Sequence, residues 1–422
     1  MSKVSEGANY KWVILAATVL VVFAALGLSQ FSYPAILPAM QKGLHINNTL
    51  AGILATANLV GYLGMATVAG AVATRLGPRR VITAGLLLAA AGMVITGVAN
   101  GFGMAAAGRF LTGIGSATAS VPAHLVPSFW FPPQRRGVAT GALPLGASMG
   151  LVLSGPLVPR LVNGYGESGW RITWFVLAAV TFVIALLAFA VIRSHGSPDT
   201  EQCAPDHAAP DHAESRGSLR HIYLSPIIWH LNAIYFAFGF AYMTYMTFFT
   251  KRLIADIGYT DAGAGRLFMV MGLVSIVCGT LWGLVSDRVG RKWALTIVLG
   301  LQMVSYLIFA LWGEPTGLTL SACIFALTAW AVPAIMATVC GDLVGPLLAP
   351  AAFGFLTAWQ GLGQATGPYV GGALGDSLPT FKTTYLVIAA MAFLGMIGTT
   401  LLRKKPAEAE TTRPTTGAGT RY

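Results

Sequence analysis

Long apolar stretches separated by short polar joints run the length of the chain. A helix rises ~1.5 Å per residue, so about 20 apolar residues cross a hydrocarbon layer of ~30 Å. On that ruler the pattern predicts helical spans near residues 12–37, 47–73, 79–99, 102–129, 136–162, 170–192, 227–250, 262–286, 292–312, 318–341, 348–374 and 380–402. The expected fold class is an all-α membrane protein with twelve transmembrane helices. Lys3 and Lys11 precede an apolar run that continues past 20 residues without a small-residue cleavage site, so the first stretch reads as a retained span rather than a removable signal.

The polar joints are unequal. Gly283-Leu284-Val285-Ser286-Asp287-Arg288-Val289-Gly290-Arg291-Lys292 is a charged hinge, and a weaker copy, Gly70 to Arg80, stands 213 residues earlier (283 − 70), with Thr74 in place of the acid. The pair Gly155-Pro156 recurs as Gly367-Pro368 at an offset of 212 (367 − 155), and Ala51-Gly52 recurs as Ala264-Gly265. Repeated spacing of this kind marks a duplicated unit. The expected organisation is a six-helix bundle over 1–193, a cytoplasmic linker over 194–225, a second bundle over 226–402 and a disordered tail over 403–422. The linker holds His195, His207, His212 and His221 among Asp and Glu residues; its Ala/Pro/Ser-rich composition favours a flexible connection over a metal cluster.

Composition narrows the compartment. Of 422 residues, 55% are hydrophobic and 10% charged, with mean hydropathy +0.69, which excludes a soluble globular domain. The net charge of +11 is a topology signal: with both termini inside, 18 of the 26 Lys and Arg residues fall in cytoplasmic segments, so nucleic acid is not an expected partner. The four cysteines are scattered, giving neither a disulfide framework nor a metal site. No phosphate-binding Gly-x-x-x-x-Gly-Lys-Ser/Thr loop and no constellation of nucleophile and base are present, so neither an enzyme nor a bound cofactor is expected.

The polar residues inside the spans carry the remaining chemistry. All fifteen acids fall near the ends of spans or outside them, which argues against a proton-driven exporter of cationic drugs. Arg109 and Arg266 leave the spans positive, which suits an anionic substrate. Arg266 lies 21 residues before Asp287, roughly 30 Å from the hinge. His124 and His230 are the histidines within spans, and either could hold a proton or serve helix packing. Candidate substrate-binding residues are Arg266, Tyr33, Asn58, Tyr62, Tyr242, Trp330, Gln360, Gln364 and Tyr369; the amides and cation can bond a carboxylate and the aromatics can shape a pocket, or the same side chains can bond and pack across helices.

The hinge from Gly283 to Lys292, Arg109 with Gly113 and Gly115, and the glycine-proline runs Gly150 to Pro156 and Gly363 to Gly372 resemble the motifs of the major facilitator superfamily, over residues 12–402. The resemblance implies two six-helix bundles around a cavity lined by helices one, four, seven and ten, working by alternating access. It ranks Tyr242 and Trp330 highest, since they fall on cavity helices. It implies conformational roles for Asp287, Arg288, Arg291, Arg75, Arg79, Arg109, Gly155, Pro156, Gly367 and Pro368. Within the superfamily, Tyr33 to Met40, Thr56-Ala57-Asn58 with Gly61-Tyr62, Gly146 to Pro159 and Trp170 to Trp174 are similar to bacterial members, more distantly to carriers of lactate or oxalate. The expectation is a monomeric secondary transporter of a small, monocarboxylate-like organic anion in a bacterial inner membrane, using proton symport or anion exchange. Two alternatives stay open: an exporter of drug-like or sugar-like solutes, and a non-transporting membrane receptor.

Overall fold

The computed structural model describes residues 2–132, 135, 139–192 and 224–402. The predicted linker up to residue 223, with its histidines, and the predicted tail lie outside the described residues. Regular structure among those described is helical throughout. The first span is assembled from α1 (Ser2–Val22), a π-helical turn (Phe23–Leu28) and α2 (Tyr33–Leu44). Then come α3 (Asn48–Leu76), α4 (Pro78–Val98), α5 (Phe102–Trp130), α6 (Pro144–Tyr165) and α7 (Gly169–Val191). The second half holds α8 (Pro226–Ala255), α9 (Asp261–Ser275) followed by α10 (Cys278–Val289), α11 (Arg291–Leu311), α12 (Pro315–Thr328), α13 (Ala331–Ser377) and α14 (Lys382–Leu401). Eight helical tracts among the described residues are long and apolar enough to cross a membrane, and one of them, Ala139–Val191, is long enough at 53 residues for two crossings.

Local chemistry explains where the helices start. Pro stands in the first turn of α4, α8 and α12, where its missing N–H is harmless. Asn47 and Thr260 cap α3 and α9, their side chains accepting from Leu50 N at 2.9 Å and Gly263 N at 3.1 Å. The two caps are 213 residues apart (260 − 47), as are the left-handed residues just before them, His45 (φ 51°) and Gly258 (φ 83°). Gly77 (φ 83°) and Gly290 (φ 84°), which turn the two hinges, again differ by 213 (290 − 77). Such turns suit glycine because it has no Cβ to clash. The duplication read from motifs is therefore repeated in the backbone at these caps and turns.

Spans ten and eleven depart from expectation, because the joint predicted between 341 and 348 is helical and α13 runs unbroken for 47 residues. Trp330, just before its start, packs against Tyr242 of α8 with ring centroids 6.1 Å apart. Gly367, 37 residues later (367 − 330), lies against Phe240 and Thr244 of the same helix. A straight helix would hold those two points roughly 55 Å apart. The tract must therefore double back between them, giving the two predicted crossings with a helical bend as their joint.

Two seams join the halves, α3 against the later part of α13 and α6 against α9. A Cβ at Gly52 would fall 2.1 Å from Pro368 O, and one at Gly372 would fall 2.2 Å from Asn48 O. On the other seam a Cβ at Gly265 would fall 2.1 Å from Gly155 O and one at Gly272 would fall 2.7 Å from Val152 N. Small residues let backbones approach this closely, and polar side chains bond across the gap: Thr56 Oγ1 donates to Ala365 O at 2.5 Å and Ser275 Oγ to Ser148 Oγ at 2.8 Å. Toward the hinges the approach ends, since a Cβ at Gly64, Gly70, Gly279, Gly283 or Gly354 would meet nothing within 4 Å. The molecule is closed on the face away from the hinges and open on the hinge face.

Candidate transport site

Two helices break near mid-membrane, and the breaks meet. The first span loses α-helical form between Phe23 and Ser32, and the tenth breaks at Ala329-Trp330, between α12 and α13. The Phe31 ring from the first break meets the Trp330 indole from the second edge to face, with centroids 5.5 Å apart. Broken helices at this depth expose backbone polar groups to an enclosed site. Tyr242, near the middle of α8, faces the same place: its ring stacks on Phe238 at 5.5 Å and on Phe325 at 5.6 Å and lies beside Trp330. The Tyr242 hydroxyl and the Trp330 indole N–H are both buried without a hydrogen-bond partner among the described residues. One turn along α8 the Tyr245 hydroxyl is satisfied instead, bonded to Ser321 Oγ at 2.9 Å.

Other predicted residues hold the first half together. Arg109 is fully buried: it donates to Ser29 O at 2.7 Å, and its guanidinium lies 4.6 Å from the Tyr33 ring and 5.3 Å from the Trp174 ring. Tyr33 is itself committed, its hydroxyl donating to Ala51 O at 2.7 Å. Asn58 Nδ2 donates to Arg109 O at 3.1 Å, while its Oδ1 is buried and has no partner among the described residues. Thus Arg109 and Tyr33 pin the broken first span to α3 and α5, and the site behind them is framed rather than occupied by this cation.

Toward the hinge face, Tyr62 and Ser120 hydroxyls pair at 3.2 Å, and Ser120 O receives Nδ1 of the exposed His124 at 2.7 Å. Since a carbonyl only accepts, Nδ1 carries the proton, and the other ring nitrogen of His124 has no partner among the described residues. His230 donates from Nε2 to Gly398 O at 2.7 Å, tying α8 to α14. Gln360 and Gln364 are half-buried on α13, with no side-chain hydrogen bond among the described residues. Tyr369 is 48% exposed and points away from the interior.

Arg266 stands apart from this group. It is exposed and lines a groove of about 450 Å³ with Gly155, Pro156, Pro159, Arg160, Asn163 and Ala262. Its neighbour Gly265 is wedged against Gly155 and Pro159. A cavity on the other side of that wedge, between Ala35, Val158, Thr250 and Ala264, has about 10 Å³, room for a single water at most. Helical spacing predicts the depth of Arg266 but not the side of the seam on which it stands, and the structure puts it in the outer groove.

The residues with expected conformational roles, and Asp376 with them, fall on different faces. On the closed face, Asp376 at the end of α13 accepts from Asn48 N at 2.8 Å, Thr49 N at 2.7 Å and Thr49 Oγ1 at 2.5 Å, so an acid of one half caps a helix of the other. Burial pushes the Asp376 carboxyl up, and the bonds from Thr49 and Asn48 outweigh it and hold the group below the usual range. On the open face, Asp287 is exposed and accepts from Arg291 at 2.5 Å; Arg291 also reaches Asp342 at 3.7 Å. Arg75 and Arg288 are exposed, and Arg79 lies over the Phe189 ring at 4.2 Å. Gly155, Pro156, Gly367 and Pro368 sit in the seams or at their edge.

Sequence reading missed Arg252 and the role of Asp376. Arg252 is 5% exposed; it donates to Ala310 O at 2.9 Å and pairs with Asp256 at 3.4 Å, which in turn accepts from Phe381 N at 2.7 Å. The predicted end of that span, residue 250, fell just short of it, although an Arg and an Asp four apart beside an apolar run were a usable signal.

Comparison with known proteins places this geometry. The Major Facilitator Superfamily model matches residues 18–346 and 232–421. The uncharacterized MFS-type transporter YceJ of Bacillus subtilis is 25% identical over 296 residues, 69% of this chain and 70% of that protein. The probable sulfoacetate transporter SauU of Cupriavidus necator is 25% identical, covering 60% of each chain. The oxalate:formate antiporter of Oxalobacter formigenes is 25% identical over 63% of this chain and 61% of its own, and the multidrug resistance protein MdtG of Proteus mirabilis 24% over 74% and 76%. Among solved structures, a bacterial homologue of the human lysosomal transporter Spinster, inward-facing and unoccupied, aligns with a TM-score of 0.76 over 94% of this chain and 99% of that one, at 16% identity. With its duplicated turns, paired seams and matched family model, the chain belongs to the major facilitator superfamily and is a multi-pass membrane transporter rather than an enzyme.

Proposed function

We propose that the protein is a secondary transporter of a small, monocarboxylate-like organic anion, working by proton symport or anion exchange as a monomer in a bacterial inner membrane. The hinge face and both termini are cytoplasmic in this reading, and the bundles over 1–193 and 226–402 rock about the substrate, joined by the linker over 194–225 and followed by the tail over 403–422. One observation carries it: the Tyr242 hydroxyl and the Trp330 N–H are both buried and unpaired among the described residues, on rings that pack together where the helix breaks meet. An indole N–H can only donate, and a tyrosine hydroxyl can, so what satisfies both is an acceptor. A carboxylate oxygen is the strongest available, and a buried unpaired donor costs about 1–3 kcal/mol that such a ligand recovers. Asn58, Tyr62, Gln360 and Gln364 form the polar wall in this reading.

The proton can travel with the weak acid itself, or on the unpartnered nitrogen of His124, which neutral imidazole offers as a lone pair. The likeness to SauU and to the oxalate:formate antiporter, whose names give organic anions, supports the substrate class. Uptake of labelled lactate and oxalate into proteoliposomes, with and without a pH gradient, is the test; if neither these nor other mono- or dicarboxylates move, the anion reading fails. A second reading, export of drug-like or sugar-like solutes, draws on the stacked aromatic wall of Phe238, Tyr242, Phe325 and Tyr245 and on the likeness to MdtG. It requires drug efflux in the same vesicles with no carboxylate uptake.

A further inference from the structure

The groove on the outer side of the α6–α9 seam gathers two cations, one from each half. Arg160 comes from one half and Arg266 from the other, and both line this groove of about 450 Å³ with Asn163 beside them. Both are exposed, and neither has a hydrogen bond or ion pair among the described residues. The wedge of Gly265 against Gly155 and Pro159 closes the groove's inner wall, so a ligand there cannot reach Tyr242 and Trp330 in this state.

Depth selects the ligand. Arg160 stands five residues before the end of α6 (165 − 160), and Arg266 stands five after the start of α9 (266 − 261). At ~1.5 Å per residue both α-carbons lie ~7.5 Å inside the helix ends. That is where a headgroup layer of ~5–7 Å meets hydrocarbon, and an arginine stem reaches from there up to the phosphate level. Gly155, Pro156, Pro159 and Ala262 give the groove an apolar floor suited to the start of an acyl chain.

We propose that Arg160 and Arg266 together bind the phosphate of an anionic phospholipid, which bridges the two halves and holds this seam closed. The assignment is independent of the transported substrate. The test is native mass spectrometry of the full chain in mild detergent with added phosphatidylglycerol or phosphatidylcholine. Wild type should retain phosphatidylglycerol in preference by about thirtyfold, the scale set by two arginines at about 1 kcal/mol each at a membrane surface. The Arg160→Gln/Arg266→Gln double variant should show no preference, and the corresponding double lysine variant should keep part of it. Equal retention by wild type and the glutamine variant overturns the proposal. So does displacement of the lipid by millimolar inorganic phosphate, which would give the groove to a soluble anion. Carboxylate uptake by the glutamine variant separates the two sites: lipid loss with the substrate KM unchanged is the expected pattern, and a raised KM would return Arg266 to the transport path and overturn the lipid role.

Discussion

At the scale of single residues, Tyr242 and Arg109 make opposite predictions because one is unsatisfied and the other is committed. The Tyr242 hydroxyl has no partner to lose among the described residues, so Tyr242→Phe should leave thermal stability unchanged or slightly raised. If it meets a carboxylate, the same change removes a hydrogen bond to a charged group worth about 1.5–3 kcal/mol, raising KM by one to two orders of magnitude in roughly that proportion. Arg109→Met should do the reverse. It deletes the bond to Ser29 O and the contacts with Tyr33 and Trp174, lowering stability by about 2–4 kcal/mol with little change in KM. Melting curves paired with uptake kinetics check both, and a destabilised Tyr242→Phe that binds substrate normally would sink the site. Both residues were legible in the sequence as polar groups inside apolar runs. Their division of labour was not, since it depends on which partners lie across the helix.

At the scale of elements, the seams and the Asp376 cap set the resting state. Gly52→Ala places a methyl 2.1 Å from Pro368 O, and backbone cannot yield as a flexible side chain can, so α3 must move off α13. Gly283→Ala meets nothing within 4 Å and should leave this state undisturbed. With a cysteine at Thr56, in the closed seam, labelling by an impermeant maleimide from the closed face should rise sharply for Gly52→Ala and stay at background for Gly283→Ala. The Asp376 carboxyl is held below its ordinary range by the bonds from Asn48 and Thr49 in the closed state, so it favours closure when ionised. The sign follows by linkage: its contribution is complete above the ordinary aspartate value of ~3.9 and is lost as pH falls through the lowered value. Asp376→Ala should therefore open that face at neutral pH to the extent that strong acid opens it in wild type, read by the same labelling. The helices, hinges and seam glycines were legible because each is written in a local run or a repeat. The bend inside α13 was not, since Gly345-Pro346 reads as a loop and only contacts of its two ends with α8 reveal the doubled-back path. Nor was the Asp376 cap, which joins residues 328 apart.

For the whole molecule, alternating access requires the lock on one face to release as the other forms, and the two faces are not built alike. The closed face uses backbone wedges and one carboxylate cap, whereas the open hinge face holds its charges in reserve. There, among the described residues, Asp287 is paired only with Arg291 four residues on, and Arg291 extends to Asp342 on α13. A carboxylate so exposed can exchange partners when the halves close over it, and coupling of this kind typically carries about 1–3 kcal/mol. The first-half hinge has no such group: Thr74 turns its hydroxyl to Ala71 O within its own helix at 2.8 Å, and Arg79 is occupied by the Phe189 ring. The two hinges share a left-handed glycine turn, at Gly77 and Gly290, so the difference between them is in their side chains and is open to substitution. Asp287→Asn should slow exchange of labelled substrate across proteoliposomes by about tenfold or more, the rate equivalent of that coupling, while Thr74→Ala changes it less than about twofold. Thr74→Asp would supply the missing acid and should stabilise the hinge-closed state, detectable as increased labelling at a Thr56→Cys position from the opposite face. Equal slowing by Asp287→Asn and Thr74→Ala would show that the hinges carry the same load and that the lock is symmetric after all.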